Sequence, residues 1–408
     1  MMPRANWRAV WTAQAASLGP SRRWTCQSSG RRIDSVVGRD ICVSTLAPAP
    51  PPMLIACMND VKDAIAFAQS IESKWAADMK MPDGQFVMTW DSGEKAPDNE
   101  MLGPVAHRGG HSGIVYRGGK LLAEWGDTGR ADMSFSVAKS FLSLLAGLAV
   151  GDGRIKSLDD KVAGYALDDG FTSDQNKDIT WRHLLTQTSE WSGTLFGKED
   201  RIDHNRVVGL QVAEGPKGTR RAMKAPGSTY EYNDVRVNRL SLCLLQLFKE
   251  PLPSVLKRRI MDPIGASTGW RWEGYRNSTV TIDGTPMISV PGGGHWGGGI
   301  VISAKDLALM GLLVAQGGVW NGTPLLPKGW TAELVKPCPM APFYGLMWWL
   351  NTDRRQFAAA SERSYFAFGW GSHIVWIDPD NDLITVLRWV ERKQAGGFVD
   401  RLLGALKK

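Results

Sequence analysis

The sequence predicts an α+β protein: an antiparallel sheet flanked by helices, with a mostly helical lobe inserted between the two halves of the sheet. Three observations carry this. Near one end, SGIVY-RGGK-LLAEW (from Ser112) reads as two strands joined at Gly118-Gly119, a pair suited to a tight primed turn. Near the other end, SHIVWI-DPDND-LITVLRWV (from Ser372) reads as a second hairpin. Between them, residues of about 135–265 form helical, loop-rich stretches.

The elements follow in order. Residues 1–57 are rich in Arg, Ser, Ala and Pro, end near APAPPP and sustain no helical or strand period, which predicts a disordered basic extension. Its low acid content resembles a transit peptide weakly; the preferred reading is a start assigned too early, with Met53 or Met58 as the true beginning. The folded domain is placed at 58–408. Val61, Ala64, Ile65, Ala68, Ile71 and Trp75 recur at helical spacing and predict an amphipathic helix from about Asn59 to Met79. The first hairpin follows, then the lobe, with apolar helices at 139–150 and 235–248. GGGHWGGGIVIS (292–303) predicts a tight turn into a strand, and Ser303 with Asp306 three residues on predicts a capped helix start. A last helix is placed from about Gly397 to Lys407.

Composition narrows the functional classes. The formal charge of +7 is misleading, since residues 1–57 hold seven Arg, no Lys and two Asp. The rest of the chain is near neutral and shows no basic stripe, which argues against a nucleic-acid partner. The longest apolar runs without charge are too short to span a membrane. The five Cys show neither CxxC nor metal-type spacing, so free thiols and a cytoplasmic location are expected. His107 and His111 are four apart, but HRGGH puts paired glycines between them, so no metal and no cofactor is predicted. The 18 Trp suggest aromatic-walled pockets, although packing is their commoner use. An oligomeric state is not specified.

Chemistry centres on SFSVAKSF, Ser134 to Phe141. Ser136 and Lys139 are three apart at the mouth of an apolar helix and so share a face. A helix N-terminus and burial both disfavour an ammonium, and a lysine so placed can take the proton from a serine that attacks a carbonyl. The alternative is structural: Ser134 or Ser136 caps the helix and Lys139 reaches water. Two other patterns are decoys. Ser254 and Lys257 in SVLK run into a charged segment. Ser267 in GASTG matches a nucleophile elbow but lacks the strand before and the helix after.

Further stretches join SFSVAKSF in order: TWRHLLTQTSEWSG (180–193), APGSTYEYNDVRVNRLSLCLL (225–245), GGGHWGGGIVISAKDLALMG (292–311) and FGWGSHIVWIDPDNDLITVL (from Phe368). Together, over roughly 100–400, they resemble the serine β-lactamase and penicillin-binding-protein superfamily. The likeness is to its class C-like branch, with its esterases and nylon-oligomer hydrolases. The resemblance implies a β-lactamase/transpeptidase-like fold and a serine hydrolase working through an acyl-enzyme on Ser136. It also implies that Tyr232 relays protons, and a phenol beside a cationic lysine can act as a base. Tyr230 falls at the family's aromatic packing position.

Two departures from the family pattern matter. Where the family often has Asn two residues after the tyrosine, this chain has Asp234. It could cap the helix that follows, or face the site, hold Lys139 protonated, shift the base role to Tyr232 and repel anions. Where the family has Lys-Thr-Gly, this chain has Ala367-Phe368-Gly369, with no cation to bind a substrate carboxylate. The oxyanion hole, formed by the backbone N–H groups of Ser136 and Trp370, is unaffected by that change. The expectation is therefore a small neutral ester or amide substrate in a pocket involving Asp234, Gly369 and Trp370, with Trp296 or Trp348 as further walls, although core packing is the commoner role for each of these two. A non-catalytic binding protein is the alternative from another class; a true β-lactamase or D-Ala peptidase is disfavoured by the missing cation.

Overall fold

A computed structural model describes residues 52–210 and 213–407. The strands that shape the site are β1 (Ser112–Arg117), β2 (Lys120–Trp125), β3 (Asp132–Met133), β4 (Arg271–Glu273), β5 (Gly299–Ile302), β6 (Trp349–Leu350), β7 (Tyr365–Gly369), β8 (His373–Asp378) and β9 (Leu383–Arg388). The longer helices are α1 (Pro52–Ser70), α2 (Ala138–Gly151), α3 (Asp234–Phe248), α4 (Ala304–Ala315) and α5 (Ala395–Leu406).

The main sheet is antiparallel, six-stranded, and ordered β6-β7-β8-β9-β1-β2. Pairing of β1 with β9, from Ser112 opposite Arg388 to Arg117 opposite Leu383, joins the two ends of the chain. The first hairpin turns at Gly118 and Gly119 with φ of +56° and +74°, the left-handed pair that matches strand twist. β8 and β9 are buried along their whole length because both faces of the sheet are covered. Val375, Ile377, Ile384 and Val386 pack with α4, whereas Ile374, Trp376, Leu383 and Leu387 pack with α1 and α5. A smaller sheet, β3-β5-β4, lies beside the turn that carries Ser136. The segment from α2 through α3 is helical and loop-rich, as predicted.

Three boundaries differ from the sequence reading. α1 starts at Pro52 rather than about Asn59; the extension expected over 1–57 lies, as far as residue 51, outside the described residues. α1 also stops at Ser70 rather than Met79. Beyond it Glu72 bridges to Val390 and the Ser73 N–H donates to the Trp389 carbonyl at 2.8 Å, so long-range pairing overrides the continuing helical period. Trp75, the last periodic residue, packs instead against Phe135, Trp370 and Trp389. α5 begins at Ala395, two residues before Gly397.

Local caps behave as their chemistry dictates. The Ser303 hydroxyl accepts the Asp306 N–H at 3.0 Å at the start of α4. Asp306 then accepts from the Ser267 N–H at 2.8 Å and hydroxyl at 2.6 Å, which accounts for the GASTG serine as a loop anchor. Cys243 and Cys338 are buried free thiols. Among the described residues no helix is long and apolar enough to cross a membrane.

Candidate active site

Ser136 sits in a one-turn 3₁₀ helix, Phe135–Val137, immediately before α2 rather than in its first turn. Phe135 holds φ of +49°, an uncommon conformation for a bulky residue, fixed by packing against Trp75, His373 and Trp389. The turn leaves Ser136 half-buried on the wall of a cleft of about 660 Å³. α2 is buried along nearly its whole length, so Lys139 cannot reach water; it is 1 % exposed. Its Nζ donates to Ser136 Oγ at 3.0 Å.

The two readings of Asp234 are resolved by its neighbour. Asn233 caps α3, its side-chain oxygen accepting the N–H groups of Val235 at 3.1 Å and Arg236 at 3.2 Å. Asp234 is thereby free to face the site. Its Oδ1 accepts a short hydrogen bond from Lys139 Nζ, and its Oδ2 accepts from Arg206 Nη1 at 2.6 Å. His295 Nδ1 lies 3.0 Å from the same Oδ2. Burial opposes the Asp234 charge, but Lys139, Arg206 and His295 outweigh it and hold the carboxyl well below its usual range. Burial likewise opposes the Lys139 ammonium, yet Asp234 and Tyr232 outweigh it and raise its pKa. Lys139 is therefore held as an ammonium.

A second layer supports this pair. His295 Nε2 is 2.6 Å from Glu94 Oε1, and Lys217 Nζ donates to the same oxygen at 2.6 Å. Asp203 accepts the Asp234 N–H at 2.8 Å and lies 3.3 Å from Arg206 Nη1. The donor atoms of Glu94, Asp203 and His295 fall within 4.8 Å of one another, the closeness a metal would require. They do not fit one, because Lys217 Nζ, 2.6 Å from Glu94 and 3.6 Å from Asp203, already supplies the cation. In HRGGH the His107 carbonyl accepts from Arg130 and His111 Nε2 lies 4.0 Å from Glu72.

Tyr232 lines the cleft beside Ser136. Lys139 Nζ stands 4.7 Å from its ring centroid and the Arg206 guanidinium 5.5 Å. Tyr230 packs on Phe343 and Tyr344, in its expected structural place. Gly369 is required by contact, since a Cβ there would lie 2.2 Å from the Ser134 carbonyl oxygen. That approach sets the end of β7, and Trp370 after it, against the Ser136 turn. Trp370 lines the cleft and its Nε1 donates to Asp91 at 2.9 Å. Gly293 is the floor: a Cβ there would meet Lys139 Nζ at 3.1 Å and Ser136 Oγ at 3.4 Å.

Two predicted walls are corrected. Trp296 is fully buried, stacked on His295 at 4.2 Å, with its N–H donated to Glu94 at 3.1 Å. It supports the second layer and does not line the cleft. Trp348 is also fully buried, donating to the Ser143 hydroxyl at 3.1 Å; the neighbouring Trp349 lines the cleft instead. Strand side chains alternate in direction, so a shift of one residue exchanges core for cleft.

The cleft also holds cations that the expectation of a cation-free pocket did not include. Ala367 carries none, but Arg206, Lys217, Arg392 and Lys393 all reach the cleft from other segments. Arg206 stands 5.6 Å from the Trp370 ring and Arg392 3.7 Å from the Phe368 ring. Sequence reasoning missed Arg206, His295, Glu94, Asp203 and Lys217. Glu94, His295 and the stretch that carries Asp203, Arg206 and Lys217 come from three separate parts of the chain with no motif spacing between them; only His295, set with Trp296 between two glycine runs, offered a signal.

Comparison with known proteins gives the family and the fold. A family model described as Beta-lactamase matches residues 103–400. The 6-aminohexanoate-dimer hydrolase of Paenarthrobacter ureafaciens is 21% identical over 305 residues, covering 67% of this chain and 70% of that protein. Among solved structures, a penicillin-binding protein from Bacillus halodurans superposes with a TM-score of 0.51 at 15% identity, covering 78% of this chain and 98% of that one. EstCE1, a hydrolase with promiscuous acyltransferase activity, gives a TM-score of 0.53 at 17% identity, covering 87% of this chain and all (100%) of that one. At such identities the structural likeness is one of fold.

Proposed function

Because the chain belongs to the beta-lactamase family, we propose that it is a serine hydrolase cleaving a carboxylic ester or amide through an acyl-enzyme on Ser136. The observation that carries this is the hydrogen bond from Lys139 Nζ to Ser136 Oγ, 3.0 Å long, on the wall of an open cleft. The names of the relatives, a dimer hydrolase and a hydrolase with acyltransferase activity, favour chemistry in which an acyl group is transferred.

The roles follow from the charges. Lys139 is an ammonium, so it orients Ser136 and stabilises negative charge there rather than removing the proton. Tyr232, flanked by Lys139 and Arg206, is the base: in its phenolate form it accepts the Ser136 proton as Oγ attacks the carbonyl carbon and becomes the neutral phenol. The backbone N–H groups of Ser136 and Trp370 receive the oxyanion. Tyr232 returns the proton to the leaving alcohol or amine, and water then releases the acid by the same steps in reverse. Trp370, Trp349, Phe368 and Trp75 form aromatic walls for the acyl or leaving group. Cations within the cleft remove the reason for requiring a neutral substrate.

The test is hydrolysis of p-nitrophenyl acetate and butyrate by wild type and Ser136→Ala, with intact mass after fluorophosphonate treatment. Wild type should turn over and take one adduct at Ser136, and the variant should do neither. An adduct on another residue would overturn the assignment.

A further inference from the structure

His295 presents both ring nitrogens to carboxylate oxygens: Nδ1 to Asp234 Oδ2 at 3.0 Å and Nε2 to Glu94 Oε1 at 2.6 Å. Those carboxylates are ionised, because their other partners are donors. Asp234 receives Lys139 and Arg206; Glu94 receives Lys217 at 2.6 Å and the Trp296 N–H at 3.1 Å. An ionised carboxylate only accepts, and a neutral imidazole has a single N–H. A neutral His295 would leave one nitrogen lone pair against an oxygen lone pair in a site where the ring is 2 % exposed. Only the imidazolium satisfies both contacts.

We propose that His295 is an imidazolium in the resting protein and the positioning residue of this site, clamping Asp234 so that its other oxygen stays on Lys139. Its charge also matters. Around it stand Asp234 and Arg206 on one side, Asp203 behind, and Glu94 with Lys217 on the other, with Ser92, Trp296 and Trp370 as its uncharged neighbours. Lys139, Arg206, Lys217 and His295 oppose Glu94, Asp203 and Asp234, so once Tyr232 has taken the Ser136 proton the cluster is one positive charge in excess beside the reacting serine. That excess favours the negative tetrahedral intermediate. Burial opposes the imidazolium, but Glu94, Asp203 and Asp234 outweigh it and raise its pKa above the ordinary histidine value. Once His295 loses its proton at higher pH, the excess vanishes and one carboxylate loses its donor.

The catalytic part of this inference rests on Ser136 being the nucleophile; the protonation part does not. The experiment joins two readouts on the full chain. Side-chain ¹⁵N NMR of the six histidines, with His295→Gln to assign the signal, follows the ring from about pH 5 to about pH 9. Fluorophosphonate labelling rates at Ser136 are measured over the same range. Expected are two protonated nitrogens at neutral pH and a labelling rate that falls as they titrate. Glu94→Gln should move both transitions to lower pH by about one unit. His295→Gln should label about tenfold more slowly with that limb absent. A neutral His295 at neutral pH with normal labelling overturns the proposal alone. A limb that persists in His295→Gln overturns the positioning role. Imidazolium signals with no labelling at any pH overturn the catalytic part together with the hydrolase reading. Where His295→Gln does not fold, wild type and Glu94→Gln still decide.

Discussion

Lys139 is held from two sides: its Nζ donates to Ser136 Oγ at 3.0 Å while Asp234 Oδ1 accepts from the same ammonium. The Ser136 hydroxyl therefore rests against a fixed positive charge, and the carboxylate that fixes it is itself shared with Arg206 and His295.

Removing the charge of Asp234 should be costly. Asp234→Asn leaves Lys139 and Arg206 buried without their common counter-ion, and breaking such a pair costs about 3–5 kcal/mol. Urea unfolding would read this directly; a loss below about 1 kcal/mol would mean the cluster reorganises around the amide.

Tyr232→Phe separates proton transfer from packing. The ring keeps its contacts with Trp349 and Tyr344, so the melting temperature should change little. Loss of the hydroxyl should lower kcat about 10²–10⁴-fold with a small effect on KM. An unchanged kcat would remove Tyr232 from the proton path.

Trp370 and Trp296 should respond in opposite ways. Trp370→Ala opens the cleft wall and should alter the preference between acetate and butyrate esters with modest loss of stability. Trp296→Ala empties a fully buried site and should cost about 3–5 kcal/mol. A stable Trp296→Ala variant with altered ester preference would reassign that residue to the cleft.

Acid stability follows from Glu94. Burial alone would raise its pKa, but His295 and Lys217 outweigh burial and bring it from 4.5 down to about 2. A depressed carboxyl stabilises the fold above its unfolded pKa and loses that contribution as pH falls through the folded value. Glu94 should thus contribute about 3 kcal/mol at neutral pH, lost between about pH 4.5 and about pH 2. Chemical denaturation across that interval should show a flatter acid limb in Glu94→Gln than in wild type; equal slopes would show that the carboxyl is not linked to folding.

Which features were legible in the sequence depends on their range. Ser136 and Lys139 are three residues apart, so their approach follows from one turn of chain. The Gly118-Gly119 turn and the Ser303 cap are likewise local. Asp234 was ambiguous because Asn233 beside it can do the same capping work, and only the finished loop shows which of the two does. Trp348 could not be placed by sequence because strand phase is set by partners, here Phe366 opposite the neighbouring Trp349.

By itself the sequence determined the two hairpins, the apolar helix behind Ser136, the serine–lysine pair and the family resemblance, since each resides in contiguous residues whose backbone period or spacing fixes their face. Only the tertiary structure decided the charge of the site. Glu94, Asp234, His295 and the stretch that carries Asp203, Arg206 and Lys217 meet from separate parts of the chain, and their ionisation is set by burial and by one another, quantities that do not exist until the chain has folded.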